Sequence, residues 1–335
     1  MLTEFAFTPS IFDEDAHDDK EAWRDQLKDL GRNMFPRVSA WPVVVSDLYA
    51  GSWNQVILQL VKTMRDDKAR VICEGILKNI QKVLVSRPQC RDWPDEDIAW
   101  AREAVASNAI ESIERIVSNN STKCALHDEY KMIRSLDEVE GGSFWRDITS
   151  DAHPLMIIDD QIKLLRKLCM HSEWVALINP YTSGNEIDFA LELLRTAKNR
   201  PAGFTSIKFE LHTQEPKGNI DATVRQETLR KVTHFVSEKV CKILEASESV
   251  ALFFWPEFKE RRLVAGTYTT DSDGNKQKRP RWGVSMNHVA RGTYPDSDPT
   301  HWTLLREEEL GVWFRKYVKV DALQKPVPAM IRRSS

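Results

Sequence analysis

The feature that most restricts the fold is a change in the spacing of apolar residues near residue 150. Before it, apolar side chains recur every three or four positions, as in Trp23, Leu27, Leu30 and Met34, which is the spacing of one helix face. After it, short apolar runs such as "EWVALINPY" and "SIKFELHT" alternate with segments of helical spacing. This second pattern is typical of strands separated by helices, so the sequence predicts a helical domain followed by a domain built around one sheet.

Polar and helix-breaking stretches divide the chain further. The stretch "VSNNSTKC" interrupts the helical spacing, and "VEGGSFWRD" (residues 139–147) precedes the strand-like runs. We therefore predict an all-helical domain at residues 1–125, a connecting segment at 126–150, an α/β domain at 151–320 and a tail at 321–335. The predicted fold class is α+β or α/β, with helices covering a mixed sheet in the second domain.

Composition narrows the classes of function. The chain has 50 acidic and 47 basic residues, and a net charge of −3 gives no overall attraction to nucleic acid or an anionic membrane. The first 150 residues have a net charge of −7 and the remainder +4, so a polyanion is expected to meet the second part. Because the sequence lacks a signal-peptide pattern and any run of about 18 apolar residues, we predict a cytoplasmic protein without membrane contact.

Sequence motifs for common cofactors and metals are missing. The five cysteines are widely spaced and include no C-x-x-C pair, which is typical of a reduced protein without a zinc site. The sequence also lacks G-x-x-x-x-G-K-S/T, G-x-G-x-x-G, H-E-x-x-H and G-x-S-x-G. We therefore predict neither a cofactor nor a metal ion.

Two stretches of the second part resemble motifs of phospholipase D-like domains. "VALINPY" is similar to the strand end "v-x-x-ID-P-Y", and "FKERRLVAG" is similar to the strand "HDRYLLT". The resemblance covers roughly residues 144–318. The family includes the single-copy C-terminal domain of MIT-domain proteins and related domains of bacterial defence systems. The resemblance implies a phospholipase D-like fold.

The resemblance also implies that the family's active site is degenerate in this chain. The family's His falls on Lys259, its Asp on Glu260, its Arg on Arg261, and the Asp of its "DPY" motif on Asn179. Phospholipase D chemistry requires a His nucleophile, commonly in H-x-K, and no His-x-Lys occurs in the chain. The charged segment at residues 257–262, which we call the knuckle, then has two possible roles. Glu260 pairs with a neighbouring arginine, or the knuckle cations bind phosphate through Lys259, Arg261 and Arg262.

A charged hairpin is the clearest predicted surface feature. Asp273-Gly274 in "TDSDGNKQKRPRW" is a good hairpin-turn signal. The returning arm has cations followed by an aromatic residue, namely Lys276, Lys278, Arg279, Arg281 and Trp282. Such cations can contact successive phosphates while the indole stacks on a base, and a solvated hairpin is the alternative.

Through its degenerate active site, the resemblance implies a non-catalytic subunit of a bacterial antiviral defence or DNA-processing assembly. The expected partners are another protein of the complex and, through the hairpin and knuckle, nucleic acid. One alternative is a divergent nuclease or phosphodiesterase that uses His212, Glu210 and the knuckle, because a His and a carboxylate on one strand face can support acid–base chemistry. A second alternative is a purely structural scaffold.

Overall fold

The computed structural model describes the chain except at residue 38 and residues 93–95, 141, 182–185, 201–206, 216–221, 245–248, 257, 291–299, 320–327 and 333–335. The chain divides into two compact units, the first spanning Met1–Ser150 and the second beginning at Asp151. The predicted connecting segment at 126–150 therefore belongs to the first unit, and its residues Ile133–Ser135 form a strand there. Most of the predicted tail at 321–335 lies outside the described residues, but its described part, Pro328–Arg332, is a strand of the second sheet, so the prediction of a separate tail is wrong there.

The first unit is built on a parallel sheet. Its described strands are β1 Thr3–Phe7, β2 Val43–Asp47, β3 Leu84–Ser86, β4 Arg115–Ser118 and β5 Ile133–Ser135. They lie in the order β3-β2-β1-β4-β5, and every neighbouring pair is parallel. The accompanying helices are α1 Lys20–Met34, α2 Leu48–Thr63, α3 Asp67–Val83, α4 Asp97–Ile110, α5 Asn120–Leu126 and α6 Gly142–Trp145.

The prediction of an all-helical first domain is therefore wrong. The predicted helices are present: α1, for example, buries Trp23, Leu27, Leu30 and Met34 and is capped by Asp19. The strands between them were missed because each has only three to five residues, and the long ones are buried on both faces. A short, uniformly apolar run such as "VVV" has no alternation to distinguish it from part of a buried helix.

The second unit is built on a mixed sheet, as predicted. Its described strands are β6 Asp151–Ala152, β7 Trp174–Ile178, β8 Lys208–Gln214, β9 Ser249–Trp255, β10 Arg261–Thr270, β11 Lys276–Met286, β12 Trp302–Leu304 and β13 Pro328–Arg332. Their order is β13-β9-β8-β7-β10-β11-β12-β6. The central strands β7, β8 and β9 are parallel, and β10 runs antiparallel to β7.

Helices α7 Ile158–Met170, α8 Ile187–Lys198, α9 Ala222–Val240 and α10 Glu307–Trp313 complete the second unit. A π-helical turn, Phe314–Val318, continues α10. Leu310 of α10 and Tyr317 of the π-helical turn pack against Trp174, Ala176 and Ile178 of β7. We call this side of the sheet the α10 face. In the described residues, no helix is both long and apolar enough to cross a membrane.

A β-bulge changes which side chains of the β10–β11 hairpin share a face. Ala265 pairs with Trp282 and Gly266 pairs with Pro280, which leaves Arg281 as an extra residue on β11. Gly266 is required at this point because a Cβ there would lie 2.0 Å from the carbonyl oxygen of Arg279. The predicted turn is present, and Gly274 adopts a φ of +82° that favours glycine.

Candidate functional site

The two stretches that resemble the phospholipase D-like motifs lie together at the edge of the second sheet that is formed by the ends of its central strands. Asn179 directly follows the carboxyl end of β7, and the knuckle leads into β10, where Arg262 pairs with Ile178. Asn179 is buried, its N–H donates to the carbonyl of His212, and its Oδ1 accepts the N–H of Tyr181. This edge is the candidate site, and the question is whether its polar groups are available to a ligand.

Arg261 is committed to an internal ion pair. Its Nε and Nη2 donate to the two carboxylate oxygens of Glu186 at 3.3 and 3.1 Å, and its Nη1 donates to the carbonyl of Asn287 at 3.1 Å. The side chains of Arg261 and Glu186 are 10% and 2% exposed. A guanidinium whose donors are directed at a buried carboxylate and a carbonyl is placed to hold the strand end.

The remaining knuckle residues also contact protein groups. The Arg262 guanidinium lies 4.8 Å from the centre of the Trp313 ring, and its Nη1 donates to the Arg261 carbonyl. Glu260 lies 3.6 Å from Lys316, so its partner is neither of the two arginines considered from the sequence. Lys259 is exposed, whereas Glu257 lies outside the described residues. Of the three predicted phosphate ligands, Lys259 alone is exposed.

His212 and Glu210 belong to a buried polar network on the α10 face. The Trp255 indole Nε1 donates to His212 Nδ1 at 2.9 Å, which leaves the proton of the neutral imidazole on Nε2. His212 Nε2 lies 3.5 Å from Glu210 Oε2, and the Lys278 ammonium contacts the other oxygen of Glu210. His212 is completely buried, so neither ring nitrogen is placed to exchange a proton with a substrate.

The charge states of this network follow from its surroundings. Burial disfavours the imidazolium and lowers the pKa of His212 below its ordinary value of 6.5. Burial would raise the pKa of Glu210, but His212 and the Lys278 ammonium outweigh it and lower the pKa to about 2. At neutral pH the network therefore consists of a neutral imidazole between an indole donor and a carboxylate–ammonium pair.

His212 should make the second unit sensitive to mild acid. Because its folded-state pKa lies below 6.5, its contribution to stability is complete above that pH and is lost as the pH falls. We expect the free energy of unfolding to decrease below about pH 6.5 by up to about 1.4 kcal/mol per pH unit from this group. Urea unfolding of wild type and His212→Gln measures the slope. The slope should flatten in His212→Gln but not in His288→Gln, which replaces an exposed histidine, and equal slopes would contradict the assignment.

The predicted row of hairpin cations is divided between the two sides of the sheet. Lys276 and Lys278 lie on the α10 face. The Lys278 ammonium lies 5.3 Å from the centre of the Trp174 ring and contacts Glu210. Arg279 lies on the opposite side, opposite Thr267. Arg281 is half-buried over the Trp282 ring at 4.6 Å, and burial lowers its pKa to about 10.

Trp282 does not serve as the predicted stacking surface. Its side chain is 5% exposed, and the bulge at Arg281 places it on the side of the sheet opposite Lys278. The hairpin therefore forms as predicted, but it does not present four cations and an indole as one continuous binding surface.

Sequence reasoning missed the groups that complete the site. Glu186 precedes α8, and the Trp313, Lys316 and Tyr317 side chains come from α10 and the π-helical turn. The turn has a hydrogen bond from the Lys319 N–H to the Phe314 carbonyl at 2.8 Å, which widens the helix. The aromatic stretch "VWFRKYV" was the available signal, but its contacts with the knuckle depend on the tertiary fold.

The first unit has its own polar cluster, which the all-helical prediction also missed. In an open parallel sheet, ligands bind beyond the carboxyl ends of the strands where the strand order reverses, here between β1 and β4. At this point Asp97 accepts hydrogen bonds from Ser10 N–H (2.9 Å), Ser10 Oγ (2.8 Å) and Thr122 Oγ (2.7 Å). The adjoining turn Pro9–Phe12 is buried. These groups satisfy one another, as in a packed structural network.

Comparisons with known proteins do not assign either unit to a family: no protein-family model and no curated protein sequence matches the chain. Among the described side chains, no group of three or more His, Cys, Asp or Glu residues is placed to hold a metal ion. The geometry of the second unit is therefore the main basis for a functional proposal.

Proposed function

We propose that the second unit is a degenerate phospholipase D-like domain and that the chain is a non-catalytic subunit of a bacterial, cytoplasmic defence or DNA-processing assembly. In this role it binds a partner protein and nucleic acid. The motif resemblance supports the family, and the mixed sheet with both motifs at one edge is compatible with it. The same resemblance supports the bacterial defence context.

One observation carries the non-catalytic part of the proposal: the imidazole of His212 is buried with Nδ1 accepting a hydrogen bond from Trp255. A general base or nucleophile needs a ring nitrogen within hydrogen-bond reach of the substrate. Arg261 and Lys278, which would otherwise hold a phosphate, contact Glu186 and Glu210. These contacts also count against the divergent-nuclease alternative.

A phosphodiester cleavage assay tests this proposal. The purified chain is incubated with labelled single- and double-stranded DNA, RNA and a chromogenic phosphodiester, each with magnesium, with manganese or with a chelator. We expect no turnover above the protein-free reaction under any of these conditions. Cleavage that is lost in His212→Ala while a surface variant such as Lys163→Ala remains active would contradict the proposal and establish the enzyme.

A further inference from the structure

The part of the α10 face on β8, β9 and β13 is only partly covered: the Tyr317 ring of the π-helical turn packs against Trp255, with ring centres 4.8 Å apart. The register places Lys208 and Glu210 of β8, Ala251, Phe253 and Trp255 of β9, and Met330 of β13 on this side of the sheet. Met330 is 51% exposed, Lys208 is exposed, and the other four are half-buried. Their neighbours Leu211, Leu252 and Phe254, which point the other way, are buried. We call these six residues the open surface.

The open surface has two fixed aromatic rings. Phe253 stacks on His212 with ring centres 4.6 Å apart and planes 13° apart. Trp255 is held by its hydrogen bond to His212 Nδ1. Residues two apart on a strand lie about 6.7 Å from each other on the same face, so β9 presents two neighbouring stacking surfaces. The buried network thus positions both rings before any ligand binds, which reduces the entropy lost on binding.

The charge of the α10 face matches a polyanion. Among the described strand residues that the register places on it, the cations are Lys208, Arg262, Lys276 and Lys278. The acidic residues in that set are Glu210, which Lys278 neutralises, and Asp151 of β6 at the far side of the sheet, which accepts a hydrogen bond from Thr303. This excess of positive charge is local, because the chain as a whole has a net charge of −3.

We propose that the open surface binds single-stranded nucleic acid, with bases stacked on Phe253 and Trp255 and a phosphate near Lys208. This rests on the proposed function and assigns its nucleic-acid contact to particular residues. Partly exposed rings on a sheet, beside a cation, can bind unpaired bases because each base has a π-face. Paired bases do not offer these faces, so duplex DNA is not the ligand.

Fluorescence anisotropy with a labelled oligo(dT) and an RNA of the same length tests the inference. The double variant Phe253→Leu/Trp255→Leu keeps apolar side chains but removes both rings. We expect it to weaken binding at least about fivefold for each ring, since stacking contributes about 1–3 kcal/mol per base. Phe235→Leu is the matched control, because Phe235 is a 37% exposed ring on α9. Unchanged affinity in the double variant overturns the inference.

A second pair of variants does not depend on the packing of the rings. Lys208→Ala changes one exposed side chain and should reduce the slope of log affinity against log salt by roughly 0.7 for the phosphate that is no longer neutralised. Arg279→Ala, on the opposite side of the hairpin, should leave the slope unchanged. An equal slope in the lysine variant, or no wild-type binding at low salt, overturns the inference. Neither result alters the cleavage assay, which tests the non-catalytic role separately.

Discussion

Arg87→Met is expected to lower the free energy of unfolding of the first unit by about 3–5 kcal/mol, because it removes one partner of a buried ion pair. Arg87 Nε and Nη2 donate to the two carboxylate oxygens of Glu4 at 2.8 and 2.6 Å, and Ser46 Oγ donates to the same carboxylate. The Arg87 and Glu4 side chains are 0% exposed. Without the guanidinium, the Glu4 carboxylate remains buried and has lost the cation that donates to both of its oxygens.

Urea unfolding of wild type, Arg87→Met, the double variant Glu4→Met/Arg87→Met and Arg32→Met measures this effect. The double variant should recover much of the loss, because it leaves no unpaired charge. Arg32 is 76% exposed and pairs with Asp29, so its substitution should change stability by less than about 0.5 kcal/mol. A loss below about 1 kcal/mol in Arg87→Met would show that the pair does not hold the first sheet together.

Arg261→Met is expected to have an effect of similar size, about 3–5 kcal/mol, on the second unit. The variant leaves the buried Glu186 carboxylate without the guanidinium that donates to both of its oxygens. It also removes the hydrogen bond to the Asn287 carbonyl. From the sequence, Arg261 was a candidate phosphate ligand, so the variant separates a structural from a binding role.

Lys259→Met is the control for Arg261→Met, because Lys259 is the exposed cation of the knuckle. Urea unfolding and nucleic-acid anisotropy are measured on both variants at a temperature at which both remain folded. If Arg261 has a structural role, the Arg261→Met variant is less stable than wild type, while its folded fraction binds nucleic acid with wild-type affinity. If instead Arg261→Met keeps wild-type stability and loses affinity, Arg261 is a phosphate ligand.

The sequence predicted the second unit better than the first for a physical reason. Strand β8 alternates between polar and apolar residues from Lys208 to His212, and this period-two pattern is visible in the sequence. By contrast, β2 is buried at all five positions and β3 has three residues, so neither has a periodic signal. The strong helical spacing of α1 and α3 then dominated the interpretation of residues 1–125.

The same distinction applies to the candidate site. The hairpin turn at Gly274 was predictable because a positive φ restricts the residue type locally. The pairing of Arg261 with Glu186 was not, since 75 residues separate them in the chain. The bulge at Arg281 reverses which side Trp282 faces, and no local motif predicts it. The sequence therefore identified which charged segments belong to the candidate site. It did not identify the partners of those charges, because the tertiary fold sets them.

The central claim is that this chain binds nucleic acid without cleaving it, and one titration tests both parts. End-labelled single-stranded DNA and RNA are titrated with the full chain at low salt in magnesium or manganese, and the anisotropy is recorded. The recovered oligonucleotide is then run on a denaturing gel. We predict salt-sensitive binding with the oligonucleotide intact at every protein concentration. Cleavage that disappears in His212→Ala, or an anisotropy that does not rise even at the lowest salt, would contradict the account.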